Sequence, residues 1–292
     1  MILVMITLWA LLSWSAAGLW LGQPLWVRPR RTVNSATALS NWMQEWQLGA
    51  GVGRPLNELG EVPSFKFFGE LARRGLAHAR AFGSFPREIL WEWREGIGKE
   101  AAFDKKWRGV VWGGWAQFTL FAAITWTFIV MTQQTLARAF PSSLLLAVAS
   151  WQALGAGAFG PCLWALQRRR LAGFAELMEC LYVLRSLGGA GLPSQQVLRE
   201  ARLEDLARLR NPRLRLLRDR VLALTQLHQQ QGVPLIKECQ LLLQEAWFAR
   251  EEALMGLTKA SEAVKLVFLL VFFGGAYMLF LLGLVQQLLS EG

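Results

Sequence analysis

Apolar positions recur at steps of three and four along much of the chain. Leu39, Met43 and Trp46 form one such set, and Phe65, Phe68, Ala72, Leu76 and Ala79 form another. Further on, Leu171, Phe174, Met178, Leu181 and Leu184 repeat the spacing, as do Leu214, Leu217, Val221, Leu224 and His228. That period lays one apolar stripe along each helix. No run alternates with period two for long enough to predict a strand. Four further runs, 3–22, 109–131, 143–166 and 266–285, carry no charge over 20, 23, 24 and 20 residues. A helix needs about 20 apolar residues to cross a bilayer. The pattern predicts an all-α, polytopic membrane protein with four transmembrane helices, at 1–22, 109–131, 143–166 and 264–288. The second and third, joined by residues 132–142, form a hairpin. Two polar helical segments, 23–108 and 167–263, lie between the spans.

The breaks within these segments follow one order. In the second segment a helix is expected to stop at Gly188, Gly189 and Gly191, and Pro193 opens a short helix. A linker with Asn211 and Pro212 leads to a long helix that stops at Gly232, and Pro234 opens the next. In the first segment the stops fall at Gly49, Gly51 and Gly53, then at Gly83, with Pro55 and Pro86 opening the helices that follow. Glycine just past a helix and proline at its first turn are the expected asymmetry. We read an internal duplication, two cytoplasmic helical bundles each followed by a span. The glycine clusters also raise the question of a nucleotide loop. A P-loop needs a strand before it and a lysine after it, and neither cluster has them. The glycines Gly51, Gly83, Gly191 and Gly232, with Pro193, read as structural turns.

Charge sets the topology. Residues 23–108 hold 14 Lys and Arg against 9 Asp and Glu, and residues 167–263 hold 15 against 11. Two spans separate the segments, so both lie on one side. The positive-inside rule makes that side cytoplasmic, because the connection at 132–142 holds only Arg138. A signal peptide would carry a positive residue ahead of its apolar core. Met1, Ile2 and Leu3 offer none, so the first run is expected to be a retained span, and both chain ends lie outside the cytoplasm. The net charge of +10 invites a nucleic-acid reading. Acidic residues interleave with the basic ones and no recognised nucleic-acid motif appears, so solvated helix faces and attraction to anionic lipids account for it better. Of 15 tryptophans, Trp20, Trp26, Trp107, Trp112 and Trp164 fall near span ends, where such rings anchor. Trp42, Trp46, Trp91 and Trp93 fall on cytoplasmic helices and are expected to pack or to meet a partner. Cys162, Cys180 and Cys239 have no motif spacing and predict no disulfide.

The chain resembles the F-domain platform proteins of type II secretion, type IV pilus and tight-adherence (Tad) pilus machines. Ala190, Gly191, Leu192 and Pro193, followed by Val197 to Ala201, are similar to one phrase of their repeated cytoplasmic unit. Gln231 to Leu235 is similar to a second, and Gly51 with Pro55 and Leu56, and Gly83 with Ser84, are weaker counterparts. The resemblance covers most of 36–131 and 171–288. The glycine-glutamate phrase of the larger members is not present, and a span precedes the first unit. The resemblance implies an inner-membrane platform protein. It implies two kinds of partner, a hexameric secretion ATPase in the cytoplasm and pilin or pseudopilin subunits in the membrane. It implies a homo- or hetero-oligomer, and no enzyme activity. A permease-type subunit of an ATP-driven transporter is the alternative.

Candidate chemistry is sparse. His78 and His228 have no cysteine or carboxylate cluster to complete a metal site. No nucleophile motif appears, and the four uncharged runs contain no Asp, Glu, Lys, Arg or His to build a proton or ion pathway. No cofactor and no metal are expected. The linker of the second segment is dense in arginine, and Arg202, Arg208, Arg210 and Arg213 are the partner-binding candidates. Their forks pair carboxylates bidentately.

Overall fold

The computed structural model describes residues 28–52, 59–82, 85–137, 139–208, 211–212, 214–232 and 234–290. Its regular structure is helical throughout, with no strand among the described residues. In chain order the helices are α1 (Arg28–Val52), α2 (Lys66–Phe82), α3 (Arg87–Leu136), α4 (Ser142–Leu171), α5 (Phe174–Gly189), α6 (Ser194–Glu200), α7 (Leu203–Ala207), α8 (Arg215–Gln231) and α9 (Leu235–Phe268). A π-helical turn, Leu269–Gly274, joins α9 to α10 (Gly275–Ser290). The stretches Arg87–Leu136, Ser142–Gly189 and Leu235–Ser290 are long and apolar enough to cross a membrane. They contain the second, third and fourth expected spans, and the first lies outside the described residues.

The chain divides into two compact units. One comprises Pro29–Lys105 and Arg170–Met255 and so draws on both polar segments. Two duplicated bundles were expected, and the apolar core of this unit takes Trp46, Phe68 and Trp93 from the first segment together with Leu181, Val221 and Cys239 from the second. Helix α5 explains the shared core. From Cys180 to Leu187 every residue is buried, Arg185 and Ser186 included, and a helix buried all round cannot serve one side only. One face of α5 meets first-segment aromatics, with Phe68 and Tyr182 at 5.1 Å between ring centroids. Two of its polar side chains find partners across the same seam: the Trp93 indole Nε1 donates to Ser186 Oγ at 2.8 Å, and Arg185 pairs with Glu92 at 2.8 Å. Gly96 permits the close approach, because a Cβ there would meet the Tyr182 hydroxyl and, at 2.7 Å, the Phe68 ring.

Among the described residues the other unit comprises mainly 106–169 and 256–290, and α3 and α9 each contribute residues to both units. Within it α3 and α4 run antiparallel. The Trp126 indole donates to Gln152 Oε1 at 3.1 Å, and Phe118 meets Phe159 edge to face at 4.5 Å. Trp126, Ile129, Leu145, Val148, Ala276 and Phe280 form part of its apolar core. The π turn loosens the regular carbonyl pairing of the helix, and the Trp151 Nε1 donates to the Val271 carbonyl at 3.0 Å. Lys265, just before the fourth uncharged run, is buried and ion-paired with Glu262.

Candidate functional site

The turn residues bound the arginine-rich linker. Helix α5 ends in a six-residue closure. The Leu192 N–H donates to the Leu187 carbonyl and the Gly191 N–H to the Gly188 carbonyl, both at 3.2 Å, with Gly191 at φ 82°. This is the left-handed stop that glycine adopts without strain. Pro193, at φ −57°, then caps α6, and its carbonyl accepts from Gln196 and Val197. Gly232 ends α8 at φ 69°, its N–H bonded to the His228 carbonyl at 3.0 Å. In the first segment α1 ends at Val52, so Gly51 is itself helical, while Gly53 and Gly83 lie outside the described residues.

The arginine candidates fall around α7. Arg202 is exposed at φ 49°, immediately before α7, and Arg208 is exposed at its end. Arg210 and Arg213 lie outside the described residues. Leu206 and Leu214 are buried on either side, and Asn211 Nδ2 donates to the Ala172 carbonyl at 2.8 Å. The linker therefore lies against the start of α5. The arginines that follow are paired: Arg218 with Asp219 at 2.8 Å and Arg220 with Glu245. The exposed Arg202 and Arg208 flank α7.

A second polar constellation was not anticipated. Glu100 on α3 is 1% exposed and sits between two cations. Lys66, the first residue of α2, reaches its Oε2 at 2.6 Å and also Asp104 at 2.8 Å. Arg250 on α9 donates from Nη2 to the same oxygen at 2.9 Å and contacts the carboxylate again through Nη1. The Arg250 guanidinium also lies over the Phe103 ring at 4.5 Å and near the Trp247 ring at 5.5 Å. Burial pulls Arg250 down to about 10, which leaves it protonated at neutral pH beside its carboxylate. The cluster ties α2 and α3 of the first segment to α9 of the second. A buried carboxylate needs such partners, since isolated burial of a charge costs several kcal/mol.

The sequence did contain a signal. Ile89, Trp93 and Ile97 form a stripe on α3, and Glu100 continues it at the next step. On α9, Leu243, Ala246, Ala253 and Leu257 form a stripe in which Arg250 occupies one position. Opposite charges at stripe positions of two helices are the mark of a buried pair.

The two buried cysteines are held in the protonated form. Burial pushes Cys180 up to about 12, with Cys239 and Glu179 adding to it, and pushes Cys239 to about 12 as well. Both are thiols at neutral pH, not nucleophiles. His228 shares a hydrogen bond of 2.8 Å with Ser194 Oγ. No group of three or more potential metal ligands occurs among the described residues. No protein-family model, curated protein or solved structure matches the chain.

Proposed function

We propose that the chain is an inner-membrane platform protein of a type II secretion, type IV pilus or Tad pilus machine. In this reading it has four spans, two duplicated cytoplasmic segments and both ends outside the cytoplasm. A hexameric secretion ATPase docks on the cytoplasmic side, and pilin or pseudopilin subunits move through contacts in the membrane. The chain hydrolyses nothing itself. It transmits motion.

The observation that carries the reading is the repeated order of helices. A helix, a glycine-bearing stretch, a 17-residue helix and a long helix that continues into an apolar run can be read twice, as α1–α2–α3 and as α5–α8–α9, with the short α6 and α7 between α5 and α8 in the second. The two 17-residue helices are α2 and α8. Each long helix contributes residues to both compact units. The exposed Arg202 and Arg208 offer an acidic ATPase surface a contact of the right charge. Deleting the gene should abolish surface pili or secreted protein while pilin and ATPase still accumulate in the cell. Normal pilus and secretion output, or instead a defect in uptake of a small solute, would overturn the reading in favour of a permease-type subunit.

A further inference from the structure

The hairpin of α3 and α4 carries a cationic row at one end of its apolar runs. Lys106 and Arg108 precede the run on α3, and Arg168 and Arg169 follow the run on α4. The antiparallel register brings the two pairs to one level. From the Phe118–Phe159 contact, ten residues back along α3 reach Arg108 and ten residues on along α4 reach Arg169. Both steps span about 15 Å at the rise of an α-helix. The same register sets Trp112 level with Trp164, one turn nearer the middle of the hairpin. Both rings are exposed, at 44% and 53%. The Arg168 guanidinium lies 5.3 Å from the Trp164 ring centroid, which orients it along the outer face of α4. Lys106, Arg168 and Arg169 are exposed and Arg108 is half-buried.

No acidic residue lies on α3 after Asp104 or anywhere on α4. The nearest acid on the third helix of this unit, Glu262, is engaged by Lys265. With Asp104 held by Lys66 and Glu262 by Lys265, the row carries a net positive charge, led by the exposed Arg168 and Arg169, at the depth where indole rings mark the boundary between acyl chains and headgroups. Arginine forks match phosphate oxygens bidentately, and lysine adds a point charge.

We propose that this end of the hairpin binds the headgroup phosphate of an anionic membrane phospholipid, with Trp112 and Trp164 against its upper acyl chains. A zwitterionic headgroup brings its own cation into the row and is disfavoured. The proposal rests on the membrane reading of the hairpin and is independent of the platform role.

Native mass spectrometry of the detergent-solubilised full chain tests it, with phosphatidylglycerol or phosphatidylcholine added in turn. Wild type should retain phosphatidylglycerol in preference to phosphatidylcholine. The double variant Arg168→Gln/Arg169→Gln should lose that retention on the order of tenfold, while Arg202→Gln/Arg208→Gln, with the same loss of charge, should keep it. Equal retention of both lipids, equal loss in both double variants, or displacement of the lipid by millimolar inorganic phosphate would overturn the proposal. A photoreactive phosphatidylglycerol analogue gives a reading on wild type alone. Its adducts should map to 106–112 and 164–169, and adducts confined to other segments would overturn the assignment.

Discussion

Glu100 is a carboxylate placed where α3 would otherwise carry an apolar residue. Its burial at 1% exposure is tolerable only because Lys66 and Arg250 close on it. Replacing it with glutamine leaves Arg250 buried without a counter-charge, and breaking one side of a buried pair costs about 3–5 kcal/mol. The variant Glu100→Gln should therefore lose stability on that scale in detergent. Asp104→Asn, whose parent side chain is 26% exposed, should lose about 1 kcal/mol or less. Equal losses would show that burial does not govern the cluster. The thiols make a pH prediction. Unfolded cysteine ionises near 9.0, whereas folded Cys180 and Cys239 hold their protons to about 12. Between those values the unfolded state binds fewer protons, so rising pH favours unfolding. The contribution is fully present below about pH 9 and is lost toward 12, at no more than about 1.4 kcal/mol per pH unit for each thiol. Thermal unfolding from pH 8 to 11 should fall more steeply for wild type than for Cys180→Ala/Cys239→Ala, and parallel curves would refute it. At this scale the sequence was read unevenly. Trp93 is fully buried while Trp91, two residues away, is 61% exposed, and the expectation for both was the same. Periodicity separates them only once the phase of the α3 stripe is fixed by Ile89 and Ile97.

The amphipathic stripes were the most legible elements. Leu39, Met43 and Trp46 are buried on α1, and Phe68, Ala72, Leu76 and Ala79 on α2. Local spacing determines a buried face, whatever that face packs against. What it packs against depends on contacts far apart in sequence, such as Glu100 with Arg250 or Trp93 with Ser186. For that reason two duplicated bundles were expected, and the core shared by both segments was not. Stops were legible where glycine must take positive φ, as at Gly191 and Gly232. Gly51 shows the limit of the signal, since a glycine inside a helix costs only about 1 kcal/mol relative to alanine. The α5 stop can be tested without steric confusion, because a Cβ at Gly191 would meet nothing within 4 Å. Gly191→Val should still destabilise by about 1–3 kcal/mol, from backbone strain alone. Unchanged thermal stability in detergent would remove Gly191 as an obligate left-handed stop.

At the scale of the whole molecule, three long apolar helices fit a membrane protein, and we propose its orientation from the distribution of basic residues. Topology reporters after Arg108 or Arg170 should read cytoplasmic, and reporters at Ala137 or after Gly292 should read external. A cytoplasmic signal from the chain end would remove the four-span arrangement. The platform reading stands or falls on a partner. Affinity purification of the tagged chain in mild detergent, from cells expressing its native neighbours, measures that directly. The account predicts that a hexameric secretion-type ATPase co-purifies. It also predicts that the association weakens as salt rises, because exposed charge pairs are screened within about 8–10 Å at physiological ionic strength. Recovery of a transporter-type ATPase, or of no ATPase at low salt, would contradict it.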